Sequence, residues 1–232
     1  MKIIVPDYYR DFKCIADKCR HTCCEENWDV DIDSDTLKKY MAIPEIAKHI
    51  DTAGTPHIRF LKNGRCPFLK EDNLCRIYDD YGKEMLCQIC TDHPRYRNFF
   101  SARTEMGIGL VCEEAARIIL FRKTPMKLCV LSDDGANEKE SEDETRAIAL
   151  RDDMLSGIRE TGINARLFEY LIYRHLAPGV FDGTLEARMR FILNAYKEIT
   201  QKWQTCKTDD EIIDVARLWS YENEYDEDEK YI

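Results

Sequence analysis

The sequence predicts a mainly α protein: a cysteine-rich metal-binding N-terminal module with a small β hairpin, followed by a helical bundle. Three observations predict it. Nine of the 11 cysteines fall between Cys14 and Cys112. An Asn63-Gly64 pair separates two extended runs, HIRFLK and RCPFL, inside that region. Beyond residue 145 apolar residues recur at helical spacing.

With 232 residues the chain can bury a real core and needs no crosslinks merely to fold. The apolar run Ile3-Ile4-Val5 is far too short for a signal-peptide core, and no stretch approaches membrane-spanning length. The expected setting is the cytoplasm, with no membrane partner. There thiols stay reduced, and patterned cysteines read as metal ligands before disulfides. The formal net charge of −10 argues against nucleic acid, whose phosphates need a basic face. An acidic surface tolerates or attracts a lysine-bearing partner, although ordinary solubilising charge accounts for it as well.

In chain order, residues 1–32 read as extended and irregular. Trp28 to Ile32 alternates apolar with charged and suggests a short strand. Residues 33–50 read as helical, with Asp33 or Ser34 as the cap and a break at Pro44. Asn63-Gly64 is a hairpin turn, since both central residues need positive φ. Glu71-Asp72-Asn73 is a second turn, leading into an extended Leu74–Tyr78. Lys83 to Cys90 reads as a short helix, and the latter half of 104–121 as another. Residues 131–145 form an acidic linker, so the expected domains are 1–130 and 146–232. The second holds helices near 142–160, 164–176, 184–204 and 209–220, with Thr184 and Thr208 as N-caps. The acidic end YENEYDEDEKYI is expected to fray or to continue as an exposed tail.

The chemistry lies in the cysteines. They run C-x4-C-x3-C-C over Cys14, Cys19, Cys23 and Cys24. Cys66 follows in CPFL, Cys75 in LCRIY, and then the knuckle Cys87-x2-Cys90. Grouped thiolates are soft ligands for zinc, Cu(I) or iron–sulfur clusters. These eight are too many for one tetrahedral zinc, which takes four ligands. They suit two centres, or one cluster plus supporting thiols. Cys112 follows alone before Glu113-Glu114, while Cys129 and Cys206 stand outside the pattern and read as buried thiols.

Beside the knuckle, Asp92, His93 and Tyr96 offer proton acceptors, and His93 and Tyr96 are the candidate catalytic residues. Glu113 and Glu114 are the candidates for binding a cofactor or a substrate amine, though acids at a helix start are favoured by the dipole in any case. His21 and His93 are possible further ligands. Tyr8, Tyr9, Tyr96, Phe99 and Phe100 could cage a cation, or simply fill a core. No Gly-rich strand-to-helix turn of the dinucleotide-binding kind is present.

The blocks C-x4-C-x3-CC, CPFL, LCRIY, LCQICTDHPRYRNFF and CEEAARIIL resemble the flagellin lysine-N-methylase family, over residues 1 to about 122. The resemblance implies transfer of methyl from S-adenosylmethionine to flagellin lysines, and a [4Fe-4S] cluster, with zinc as the alternative metal. Polar transfer to an amine needs alignment and a proton acceptor and requires no metal. The C-x3-C-x2-C triad of radical S-adenosylmethionine enzymes is absent. The rival reading is a metal-stapled helical module that holds a protein partner and transfers no methyl.

Overall fold

The computed structural model describes residues 1–25, 28–136 and 139–225. Its first strand, β1 (Lys2–Pro6), is built on the Ile3-Ile4-Val5 run. A 3-10 turn over Asp7–Asp11 follows, with Tyr8 and Tyr9 buried. The chain then leaves this body. Met1–Lys13 and Pro94–Ile232 form one compact unit, and Cys14–His93 forms another. Compaction thus runs differently from a cut at the acidic segment.

The Cys14–His93 unit is small and locally connected. Helix α1 (Ser34–Met41) starts where the Asp33 carboxylate accepts the Thr36 N–H at 3.0 Å. Pro44 opens α2 (Pro44–Ala47), where its missing N–H costs nothing. Strands β2 (Ile50–Asp51) and β3 (His57–Ile58) pair antiparallel, Ile50 opposite Ile58. The extended Trp28–Ile32 segment joins them through a single bridge, Asp31 to His57. The ladder therefore sits before the Asn63-Gly64 pair. That pair makes a tight turn, closed by Leu61 N–H to the Arg65 carbonyl at 2.9 Å, but no strands continue from it. The expected extended Leu74–Tyr78 is instead mostly helix, α3 (Arg76–Tyr81). The reason is local: Asn73 adopts φ +61°, the 70–74 turn closes, and Ile77 is swung into the core. After a 3-10 turn at Lys83–Met85 comes α4 (Gln88–Asp92). The core joins Val30, Ile32, Tyr40, Ile46, Ile50 and Phe68 with Cys66 and Cys87.

The other unit holds a four-stranded mixed sheet that the sequence reading did not foresee. Strands β4 (Arg95–Phe99), β5 (Arg103–Ile108) and β6 (Leu128–Asp133) join β1 in the order β4-β5-β1-β6. β1 is parallel to β5 and antiparallel to β6, with a register shift at Ile3/Ile4. Between β5 and β6 lies α5 (Glu113–Phe121). The segment read as a linker, 131–145, begins inside β6 and runs past the Ser141 cap into the first turn of α6; residues 137 and 138 lie outside the described residues.

The four expected long helices are present as α6 (Glu142–Gly157), α7 (Ile163–His175), α9 (Leu185–Trp203) and α10 (Asp209–Asn223), with the short α8 (Pro178–Phe181) between α7 and α9. Ser141 and Thr208 each close a capping box with the glutamate three residues on, whereas Thr184 makes no side-chain cap. Helix α7 is buried on nearly every face and forms the axis of this unit. The main core gathers Tyr8, Tyr9, Ile108, Ile119, Leu171 and Trp219 around it. The expected tail from 226 to 232 lies outside the described residues. Among the described residues no helix is long and apolar enough to cross a membrane.

Candidate functional site

The small unit is organised around its thiols. Cys66 and Cys87 are buried, and Cys24, Cys75 and Cys90 are half-buried against the same core. Local structure places each of them. Cys24 lies in a 3-10 turn, and its carbonyl accepts the Cys66 N–H at 2.7 Å, which ties the first cysteine block to the CPFL block. Cys75 caps α3, and Cys87 caps α4 with Cys90 inside that helix. Asp33 serves two helices at once: besides capping α1 it accepts the Gln88 N–H at 3.0 Å, fixing the start of α4. Burial works against the Asp33 carboxylate, but the N–H groups of Thr36 and Gln88 prevail and lower its pKa. Tyr40 accepts the Cys87 N–H at 3.2 Å from the other side.

The thiols influence one another strongly. Hydrogen bonds from Cys23 and Cys66 favour the Cys24 thiolate, and the partner Cys66 is pushed up as the donor. Cys87 and Cys90 repeat the arrangement, with Cys87 lowered and Cys90 raised. Within each pair a thiol–thiol hydrogen bond favours the charged form of one sulfur and disfavours that of the other. Cys24 acts on Cys75, Cys90 and His93, so the two pairs belong to one electrostatic neighbourhood. Burial lowers His93 to about 4, against the pull of the Cys24 thiolate, which leaves a neutral ring at ordinary pH. The Trp28 indole lies 5.6 Å from the His93 ring, and its N–H donates to the Cys23 carbonyl at 2.7 Å.

This is a soft donor set of the type that zinc and iron–sulfur clusters select. Among the described residues, however, no three His, Cys, Asp or Glu side chains are placed to hold a metal ion together as they stand. None of the eleven cysteines is in a disulfide. Cys14 is exposed, and the Cys19 thiol donates to the His21 carbonyl at 3.0 Å. The eight expected ligands therefore separate into a converged group, Cys24, Cys66, Cys75, Cys87 and Cys90, with Cys23 attached, and the more peripheral Cys14 and Cys19. Cys129 is exposed on the edge strand β6 and Cys206 is half-buried, contrary to the expectation of two buried thiols.

The remaining candidates fall elsewhere. His93 closes the thiol unit, whereas Tyr96 belongs to β4 of the other one. Among the described residues the buried Tyr96 hydroxyl has no hydrogen-bond partner, and the Arg174 guanidinium lies 4.5 Å from its ring. Burial raises the Tyr96 pKa well above the phenolic value, which makes it a poor proton acceptor in this state. Glu113 is buried in the first turn of α5 and, like Glu114, pairs with Arg117, at 3.3 and 3.4 Å. Tyr8, Tyr9 and Phe100 are core, and only Phe99 of that aromatic group is exposed. Trp28 and Tyr40 were missed as parts of the thiol site. Tyr40 carried a signal as an apolar helix position, but nothing in the sequence tied it to a knuckle 47 residues away.

Comparison with known proteins adds the decisive observation. A lysine-N-methylase of Salmonella choleraesuis is 31% identical over 137 residues, which cover 53% of this chain and 33% of the relative. This chain resembles lysine-N-methylases. A second lysine-N-methylase, from Salmonella typhimurium, is 30% identical over the same shares of both chains. The flagellar biosynthetic protein FliU of Salmonella muenchen is 29% identical over 53% of this chain and 79% of its own. The chain thus spans about a third of the length of the two lysine-N-methylases. No family model matches it, and no solved structure matches it.

Proposed function

We infer that this chain works in the methylation of protein lysines, as a cysteine-rich part or a short form of a lysine N-methylase. The observation that carries this reading is the 30–31% identity to two lysine-N-methylases over half of the chain. The methyl donor is proposed to be S-adenosylmethionine, and the substrate flagellin; the flagellar name of the third relative supports that substrate. In this reading the thiol unit carries a resident metal, as one iron–sulfur cluster or zinc. Cys24, Cys66, Cys87 and Cys90 are its proposed ligands, because they already converge as two hydrogen-bonded pairs. The metal would supply soft crosslinks that order a unit rich in irregular chain. The protein's own groups have simpler tasks. Asp33 and Tyr40 orient the α4 knuckle, and His93 at the edge of the thiols is the proposed acceptor of the amine proton, although burial, which keeps it neutral, also makes it a weak base.

The test is transfer of labelled methyl from S-adenosylmethionine to flagellin lysines by anaerobically prepared protein. Transfer that falls in His93→Gln supports the full reading. Binding of flagellin without transfer would leave the metal-stapled binding module in its place. Metal analysis of the same sample decides between iron with sulfide and zinc, and the absence of both removes the metal from the reading.

A further inference from the structure

Far from the thiols in sequence, the sheet-and-helix unit buries an unbalanced charge. Arg166, in the first turns of α7, is 1% exposed, and Glu169 one turn on is 2% exposed. Arg122, just past the end of α5, reaches the same carboxylate, with its side chain 10% exposed. Glu169 Oε1 accepts from Arg166 Nη2 at 3.1 Å. Its Oε2 takes Arg122 Nη2 and, at 3.2 Å, the Met126 backbone N–H. The carboxylate is thereby committed. Arg122 Nε donates to the Thr124 carbonyl at 3.3 Å, and its guanidinium lies 4.6 Å from the Tyr8 ring centre. Among the described residues, three buried guanidinium nitrogens then have no acceptor: Arg122 Nη1, Arg166 Nε and Arg166 Nη1. Two cations face one anion.

Such an arrangement is costly. A buried donor without an acceptor loses its hydration with no return, and a charged one loses more. Desolvation and the neighbouring Arg122 both work against the charged form of Arg166. Arginine does not surrender its proton in proteins, so an anionic ligand here would offset the cost. The forked guanidinium edge suits oxygens in pairs, the geometry of an oxyanion. Residues 123–125, which follow Arg122 directly on the rim of the site, are exposed and irregular. The nitrogens have no exposed surface as they stand, so binding requires this segment to move.

We propose that Arg122 and Arg166 form a binding site for a small oxyanion of the phosphate type, which balances Glu169 and locks the end of α5 to the start of α7. This site is independent of the thiol unit and of the methylation reading. The probe is inorganic phosphate in the millimolar range, followed by calorimetric titration and thermal melting of the full chain, with chloride at matched ionic strength as the control. The expected result is saturable binding and a rise in melting temperature of about 5 °C at saturation. Both are lost in Arg166→Gln. Should that variant fail to fold, Arg122→Gln at the rim replaces it and is expected to weaken binding at least tenfold. Equal effects of chloride and phosphate, an unsaturating response, or full binding in a folded variant would overturn the site. So would a crystal grown in phosphate that shows only water against Arg166.

Discussion

Gly107 faces Tyr96 across the β4–β5 ladder, and a Cβ there would run into the phenol ring and its hydroxyl. Gly107→Ala is therefore expected to cost about 1–3 kcal/mol by overpacking, read as a lowered denaturation midpoint. Glu224 makes a different demand. It is 2% exposed and accepts from Arg174 at 3.0 Å, His175 at 2.7 Å and the Tyr170 hydroxyl at 2.8 Å. Burial alone would raise it; Arg174, with help from His175 and Ser220, lowers it from 4.5 to about 2. Because the folded value is depressed, its stabilising contribution is complete above the ordinary value and fades as pH falls from about 4.5 towards 2. The contribution is roughly 3 kcal/mol, and Glu224→Gln should remove most of this acid-sensitive part of the pH–stability curve. Neither demand could be read in the sequence. A glycine in a strand and a glutamate near an acidic end become specific only once a tyrosine and an arginine are set against them by pairings far along the chain.

Helix starts were the most legible features, because capping is written within four residues. Thr208 and Glu211 form the box that the T-x-x-E spelling promises, and Thr208→Ala should cost about 1 kcal/mol, measurable by denaturant unfolding. Asp33 was legible as a cap of α1 but not as the partner of Gln88, which is 55 residues away. Its replacement is expected to do more than loosen α1. Asp33→Ala should raise amide exchange in α4 around Cys87 to Cys90, whereas Ser34→Ala should leave α4 unchanged. Strands fared worse. β4 and β5 carry two charged residues each, RYRNF and RTEMGI, so the alternation that marks a strand is blurred. β1 is short, and its partners lie about a hundred residues on, where no local pattern can announce them. The Leu74–Tyr78 error came from reading β-branched and aromatic content as extended, where the Asn73 turn decides the backbone instead.

Cysteine spacing and compact packing divide the chain at different places. Cysteine counting carried the metal module on to residue 130, while packing closes it at His93 and gives everything after Pro94 to the sheet and helices. The distinction matters for metal removal. The Cys14–His93 unit has short elements and a small core with cysteines inside it, so ligation should contribute directly to its stability. The other unit has its own larger core around α7. Chelation of the metal-replete protein is therefore expected to abolish exchange protection within 14–93 and to leave α7, α9 and α10 protected. Uniform loss of protection in both units would show that they unfold as one.

The route of the chain through the sheet also bears on its synthesis. β1 is synthesised before its neighbours β5 and β6, which follow only after the entire thiol unit has been made. At about 5–20 residues per second, the interval before β5 emerges is on the order of 5–20 s. During that time a strand of Ile3, Ile4 and Val5 waits with its edges open, exposed to chaperones or to misplaced pairing. The Cys14–His93 segment, complete in sequence well before the sheet, has the same interval in which to bind the metal proposed above.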